Sequence, residues 1–263
     1  MESLIQINGL NLSVKEGKRE KVIFSNINAT ASRGEFIALI GANGKGKSTL
    51  LKTISGILPN SGGGEILFND KAIESYGRKE RSSLLAFVGA NNLRAKNLTV
   101  RGMLAINRYY KTNWLGEIKE EDNQKISKAL EMVSLAGFEE RDSSVLSDGE
   151  YQRVTIAGAI AQDTEAIILD EPTAFLDIAN RFLITGLLQK IARKEQKCVI
   201  FSTHDLQSAI RLCDKIWVMA GDGFYSDTPA RLIEGNVFNK IFSGESIAFD
   251  KESLSFEIVK EKI

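Results

Sequence analysis

The chain has 263 residues, 43% hydrophobic and 26% charged, a make-up that fits a soluble globular protein with one large α/β domain or two lobes. Lys plus Arg and Asp plus Glu both total 34, and the resulting zero net charge argues against a protein that coats a polyanion. No apolar run approaches the roughly 18–20 residues of a membrane span, the N-terminus lacks the basic and apolar regions of a secretory signal, and a lone histidine excludes a metal site built on several; the chain is expected to be cytosolic by itself.

Leu4-Ile5-Gln6-Ile7 and Leu10-Asn11-Leu12-Ser13-Val14 read as strands, with a polar turn over Lys15–Glu20. The apolar run Phe36–Ile40 reads as a strand, Gly41–Thr49 as a glycine loop and Leu50–Ile54 as the start of a helix. Ser61–Gly64 is a flexible turn before the strand Glu65–Phe68. Residues of about 92–160 look helical; Ile126, Ala129, Leu130, Val133 and Leu135 share a face that ends at Gly137. Ala166–Leu169 and Val199–Phe201 are continuous apolar runs, as expected of parallel strands covered on both faces. Helical periodicity from Ile178 to Arg193 lies between them, which is the logic of a βαβ unit. From about residue 230 a short helix is followed by strand-like pieces such as Ser253–Ile258. Cys198 opens an apolar run, Cys213 sits in a helix-like stretch, and neither has metal-ligand spacing.

Gly41-Ala42-Asn43-Gly44-Lys45-Gly46-Lys47-Ser48-Thr49 fits G-x-x-x-x-G-K-[ST], the phosphate-binding loop. Glycines let backbone N–H groups turn inward on a phosphate, and the helix adds its positive N-terminal end. Lys47 is placed to reach the β- and γ-phosphates and Ser48 to ligate Mg²⁺. Lys45 is an extra cation, either solvated or adding pull on phosphates or on a facing chain.

Asp170 and Glu171 close an apolar strand, where ligands of open α/β sheets gather. Asp170 suits Mg²⁺, and Glu171 suits a water aimed at the γ-phosphate. Solvated turn residues are the alternative for such a pair taken alone. Leu146-Ser147-Asp148-Gly149-Glu150 opens another helix; Ser147 and Gly149 make an anion-binding nest, or Ser147 and Glu150 an ordinary capping box. His204 lies just past a strand end, where a neutral imidazole can donate to a γ-phosphate oxygen.

As an ordered set these residues resemble the nucleotide-binding subunits of ATP-binding cassette (ABC) transporters. The matches are the phosphate loop Gly41–Thr49, the signature-like Leu146–Glu150, the Walker B carboxylates Asp170 and Glu171, the Asp-loop Phe175-Leu176-Asp177 and the switch histidine His204. The resemblance implies an α/β fold over residues 1–263: a P-loop (RecA-like) ATPase core with an antiparallel β subdomain and an inserted α-helical subdomain. Residues 1–91 and 161–230 would form the core and β subdomain, 92–160 the helical subdomain with the signature, and 231–263 a C-terminal extension. It implies ATP and Mg²⁺ as ligands, with Asn43, Gly44, Lys45, Gly46, Lys47, Ser48 and Thr49 on the nucleotide, Ser48 and Asp170 on the metal, and Glu171 and His204 catalytic. It also implies a head-to-tail dimer in which Ser147, Gly149 and Asp177 complete the partner's site. Membrane permease subunits would be direct partners and a substrate-binding protein an indirect one, at the cytoplasmic face of the inner membrane, with no nucleic acid. Phe175-Leu176-Asp177 and Tyr110–Gly116 look most like subunits that import iron–siderophores, haem or cobalamin; a soluble ABC-type ATPase acting on nucleic acid or ribosomes is the alternative.

Four positions depart from the family's pattern. Asp148 stands where a glycine is usual and Glu150 where a glutamine is usual. No glutamine lies near Ala90, where the Gln-loop residue belongs, leaving Asn91 or Asn92 as stand-ins. The aromatic that stacks on adenine should fall near Glu16, yet no aromatic precedes Phe24.

Overall fold

A computed structural model describes every residue except 1, 17, 18, 91–93, 95, 112–118, 175, 242–246 and 259–263; of 15, 16, 19, 20 and 111 it describes the backbone alone. In chain order, β1 (Ser3–Glu16) and β2 (Arg19–Ser32) form a long antiparallel hairpin, followed by β3 (Phe36–Gly41) and α1 (Lys47–Ile54). Then come β4 (Glu65–Phe68), β5 (Lys71–Ala72), α2 (Arg78–Leu84) and β6 (Leu85–Val88). Three helices follow: α3 (Val100–Asn107), α4 (Glu120–Met132) and α5 (Asp148–Ala161). The chain continues with β7 (Ala166–Leu169), α6 (Ile178–Lys194), β8 (Cys198–Ser202), α7 (Leu206–Leu212), β9 (Lys215–Met219) and β10 (Phe224–Asp227). It ends in α8 (Pro229–Glu234), β11 (Ile247–Asp250) and β12 (Ser255–Ile258).

Two sheets organise the molecule. One is antiparallel, in the order β2-β1-β4-β5; the other runs β10-β9-β3-β8-β7-β6 and is parallel except where β10 meets β9. In β3, β7 and β8 every residue is buried, as strands with both faces covered must be. The strand period of two divides their side chains between two cores. Ala38, Ile167, Leu169, Val199 and Phe201 face the helices, and Ile37, Leu39, Ile168 and Ile200 face α1 and the antiparallel sheet. Helices α3, α4 and α5 pack on one another through Leu104, Ile126, Leu130 and Val154, all fully buried.

The two N-terminal strands expected at 4–7 and 10–14 are one strand. Register shifts between Ile7 and Leu10, with Gly9 at φ +57°, form a bulge that lets the apolar set resume its inward alternation. The polar turn is shorter than expected, because β1 continues to Glu16 and β2 starts at Arg19. Cys213 terminates α7 instead of lying within it, and both cysteines are buried and free. A boundary at 230 falls inside α8, and Leu232, Phe238 and Phe249 share a core with the parallel strands.

Strand order positions the chemistry. Because β3, β8 and β7 are parallel neighbours, their C-terminal ends lie side by side. The phosphate loop follows β3, Thr203 and His204 follow β8, and Asp170 and Glu171 follow β7. The segment that leaves β6 starts from the same edge.

Candidate active site of a nucleotide-hydrolysing enzyme

The phosphate loop turns through Gly44 at φ +75° and Gly46 at φ +96°. Gly46 is also the N-cap of α1, and no side chain caps that helix, so the first-turn N–H groups face the loop without an internal acceptor from a cap. A Cβ on Gly46 would stand 2.6 Å from Ile23 Cδ1. Only glycine satisfies both the backbone angle and the closeness of β2. Lys47 is buried, and its Nζ donates to the Gly41 carbonyl at 2.9 Å and to that of Ala42 at 3.5 Å. Burial lowers the Lys47 pKa, while the negative charges of Glu171 and Asp170 oppose that drop. Asn43, Gly44 and Lys45 are exposed; Ser48 and Thr49 are half-buried at the start of α1.

Asp170 is buried and Glu171 lies at its mouth, and one hydroxyl ties them together. Ser202 Oγ donates to Asp170 Oδ1 at 2.8 Å and accepts from the Glu171 backbone N–H at 2.8 Å. Glu171 holds φ +48°, a conformation non-glycine residues seldom adopt. That twist turns its carboxylate to His204, whose Nε2 lies 3.1 Å from Glu171 Oε1. Thus Lys47, Asp170, Glu171 and His204 form one group, with Ser202 as its brace. A cavity of about 530 Å³ opens beside Glu171 and His204 and is also walled by Thr203, Arg181 and Phe182.

A second group gathers at the start of α5. Ser147 Oγ accepts from the Glu150 N–H at 3.3 Å, and Glu150 Oε2 accepts from the Ser147 N–H at 2.8 Å. The capping box is present and Glu150 closes it; these hydrogen bonds hold the Glu150 pKa below the usual range. Gly149 lies under Asn180, where a Cβ would come within 3.0 Å of the Asn180 amide oxygen. Asn180 in turn donates to both oxygens of Asp177, each at 2.8 Å, and Asp177 caps α6. Those bonds depress the Asp177 pKa. Ser147, Gly149 and Asp177 are therefore neighbours through Asn180. Among the described residues no hydrogen bond or ion pair joins this group to the Lys47 group.

Three contributors escape a reading of motifs. Ser202 stands two residues before His204, and a hydroxyl ending an otherwise apolar strand is the signal for it. Asn180 and Arg94 gave none, because Gly149 lies far from Asn180 in the chain and Leu146 far from Arg94; Arg94 donates to the Leu146 carbonyl at 2.7 Å and pairs with Asp148. Phe24 packs its ring edge on Phe224, with centroids 6.4 Å apart, so the flank of the phosphate loop at Leu12 and Ile23 is aliphatic. Asn91, Asn92, Phe175 and most of Tyr110–Gly116 lie outside the described residues.

A glycine loop with a buried lysine, facing a strand-end carboxylate pair, is the geometry of nucleoside triphosphate hydrolysis. Residues 24–174, more than half of the chain, match the ABC transporter family. The chain belongs to that family. This ABC protein is an ATPase that binds ATP and couples its hydrolysis to transport. It is 36% identical over 195 residues to the iron(3+)-hydroxamate import ATP-binding protein FhuC of Bacillus subtilis, covering 74% of this chain and 72% of that protein. Its fold is similar to a solved metal-chelate type ABC transporter in an inward-facing conformation, with TM-score 0.79, 25% identity and coverage of 97% of this chain and 96% of that one. It is also similar to the dimeric structure of the bacterial ABC transporter cassette MJ0796, with TM-score 0.71, 27% identity and coverage of 82% and 94%. Among the described residues no helix is long and apolar enough to cross a membrane.

Proposed function

We propose that this ABC ATPase powers a membrane importer of metal chelates, with an iron–siderophore, haem or cobalamin as the class of cargo. The observation that carries this reading is the likeness along most of the chain to an iron(3+)-hydroxamate import subunit, together with a metal-chelate type transporter as structural neighbour. The chain works at the cytoplasmic face of the inner membrane, docked on permease subunits that a substrate-binding protein supplies with cargo. Two copies join head to tail around two ATP molecules, a reading supported by the dimeric cassette and by the separation of the two residue groups.

Within one site the roles follow from chemistry. The loop N–H groups of Asn43 to Thr49 and the Lys47 ammonium hold the phosphates. Glu171 orients a water and takes its proton, a contribution typically worth about 10²–10⁴ in rate. His204 holds the Glu171 carboxylate through Nε2 in the free chain and turns that donor to the γ-phosphate when nucleotide is bound. Ser147 and Gly149 of the second copy present the head of α5 to that same phosphate, and Asp177 lies at the seam. Ser48 and Asp170 offer the hard oxygen donors that suit Mg²⁺, and Ser202 aims the Asp170 carboxylate. Bound Mg²⁺ neutralises charge on the phosphates.

Uptake of an iron-loaded hydroxamate siderophore tests the cargo class. Cells lacking this chain should lose uptake, the wild-type chain should restore it, and a Lys47→Ala chain should not. Restored uptake by Lys47→Ala, or unimpaired uptake of all three chelate classes without the chain, would overturn the reading.

A further inference from the structure

Asp148 puts a carboxylate on the surface that has to meet a polyphosphate. It stands where the family pattern has glycine, at the first position of α5, and its side chain is 81% exposed. Glu150, two residues on, adds a second negative charge, although its carboxylate is folded back on the Ser147 N–H. Like charges brought together across an interface oppose association. A nucleotide carried by another copy toward Ser147 and Gly149 meets Asp148 first.

Arg94 answers that charge. It enters from the segment that leaves β6, far from α5 in sequence. One guanidinium nitrogen donates to the Leu146 carbonyl at 2.7 Å, and the other pairs with Asp148. Its guanidinium lies 5.0 Å from the centre of the Tyr151 ring. These three contacts place the guanidinium charge beside Asp148. Lys45, a second cation on the phosphate loop, is exposed and makes no ion pair among the described residues.

We propose that Arg94 is a positioning residue that neutralises Asp148, so that the head of α5 can accept the nucleotide bound by a second copy. The proposal rests on the ATP-bridged dimer put forward above. It differs from a mere anchoring of the Leu146 carbonyl in one respect: removing Asp148 should cure the loss of Arg94.

The test measures dimer dissociation constants by sedimentation in Mg-ATP, with all variants built on Glu171→Gln to prevent turnover. Arg94→Ala should weaken the dimer about tenfold or more, since two copies of an unneutralised carboxylate face phosphates. The defect should shrink as salt rises. Asp148→Gly should dimerise at least as tightly as the parent, and the Arg94→Ala, Asp148→Gly double variant should return to roughly threefold of it or better, because the repulsion is gone. Arg94→Lys keeps the charge and should stay close to the parent, which guards against a folding defect in the alanine variant. Mg-ATP affinity of the monomer should not change. A double variant as weak as Arg94→Ala overturns the proposal in favour of anchoring alone. A loss on Lys45→Ala that Asp148→Gly cures, with Arg94→Ala silent, overturns it in favour of Lys45. A parent that stays monomeric in Mg-ATP overturns the shared-site reading itself, and this proposal with it.

Discussion

Ser202 shows how one hydroxyl sets the two residues proposed for metal binding and catalysis. It is fully buried at the end of β8, accepts from the Glu171 N–H and donates to Asp170 Oδ1. Glu171 keeps a strained φ of +48°, and such strain persists only where neighbours enforce it. The Ser202 acceptor is one such neighbour. Ser202→Ala leaves a buried N–H and a buried carboxylate oxygen short of a partner, at a cost of about 1–3 kcal/mol. The expected outcome is a folded protein with a lower urea midpoint and a kcat reduced roughly tenfold or more through the misplaced water-orienting group. The monomer's affinity for metal-free nucleotide should hold, since Lys47 and the loop N–H groups are untouched. Unchanged kcat alongside lowered stability would show that the Glu171 backbone needs no brace. The same residue marks the limit of motif reading. Lys47, Asp170, Glu171 and His204 are legible because phosphate chemistry demands those types next to glycine turns and strand ends. Ser202 and Asn180 act by holding others, and only proximity in space reveals that.

The helical lobe is joined to the core by polar latches as well as apolar packing. Arg108 is 1% exposed and pairs with Asp122 of α4 at 2.6 Å, while also donating to the Ala161 carbonyl at the end of α5. Tyr110 donates to the Gln162 carbonyl, and Gln162 Nε2 donates to the carbonyls of Ser82 and Leu85 at the α2–β6 junction. Burial pushes the Tyr110 pKa up to about 12, which keeps its hydroxyl a donor throughout the physiological range. A buried ion pair adds little net stability over a well-packed apolar pair, but losing one partner strands the other charge, at about 3–5 kcal/mol. Arg108→Ala should therefore lower unfolding free energy by about that amount, and Arg108→Met with Asp122→Leu by much less. Urea unfolding followed by circular dichroism checks both; equal losses would mean that packing of the arginine stem, not its charge, holds the lobe. Sequence periodicity located α4 through Ile126, Ala129 and Leu130, and continuous apolar runs located β3, β7 and β8. It could not join β1 across its bulge, because Gly9 and the polar residues around it break the alternation. It could not find the Arg108 latch, because a charged residue gives no sign of burial until its partner is known.

At the scale of the molecule, the chain carries two separate residue groups that the proposed dimer would bring together. The Lys47 group sits at the C-terminal edge of the parallel sheet, and the Ser147 group sits at the head of α5, with no bond between them among the described residues. A γ-phosphate touched by both needs a second copy facing the first, as the dimeric cassette with the same fold suggests. In the proposed dimer ATP favours the closed pair because only that state offers both sets of contacts, and hydrolysis withdraws the shared ligand. Glu171→Gln keeps the size of the side chain and removes its ability to take a proton. Turnover should fall about 10²–10⁴-fold while ATP still binds. The variant should therefore accumulate as a dimer in Mg-ATP, revert to monomer in ADP, and fail to dimerise when the divalent cation is chelated. The wild-type chain, turning over, should be mostly monomeric under the same conditions. Ser147→Ala on the Glu171→Gln background should weaken that dimer without changing nucleotide affinity of the monomer, since the contact proposed for Ser147 is with the other copy's phosphate alone. Sedimentation velocity with absorbance at the nucleotide wavelength reads mass and bound ATP together. A Glu171→Gln chain that binds ATP fully yet sediments as a monomer would break the link between nucleotide and closure, and with it the means by which this fold could move a permease.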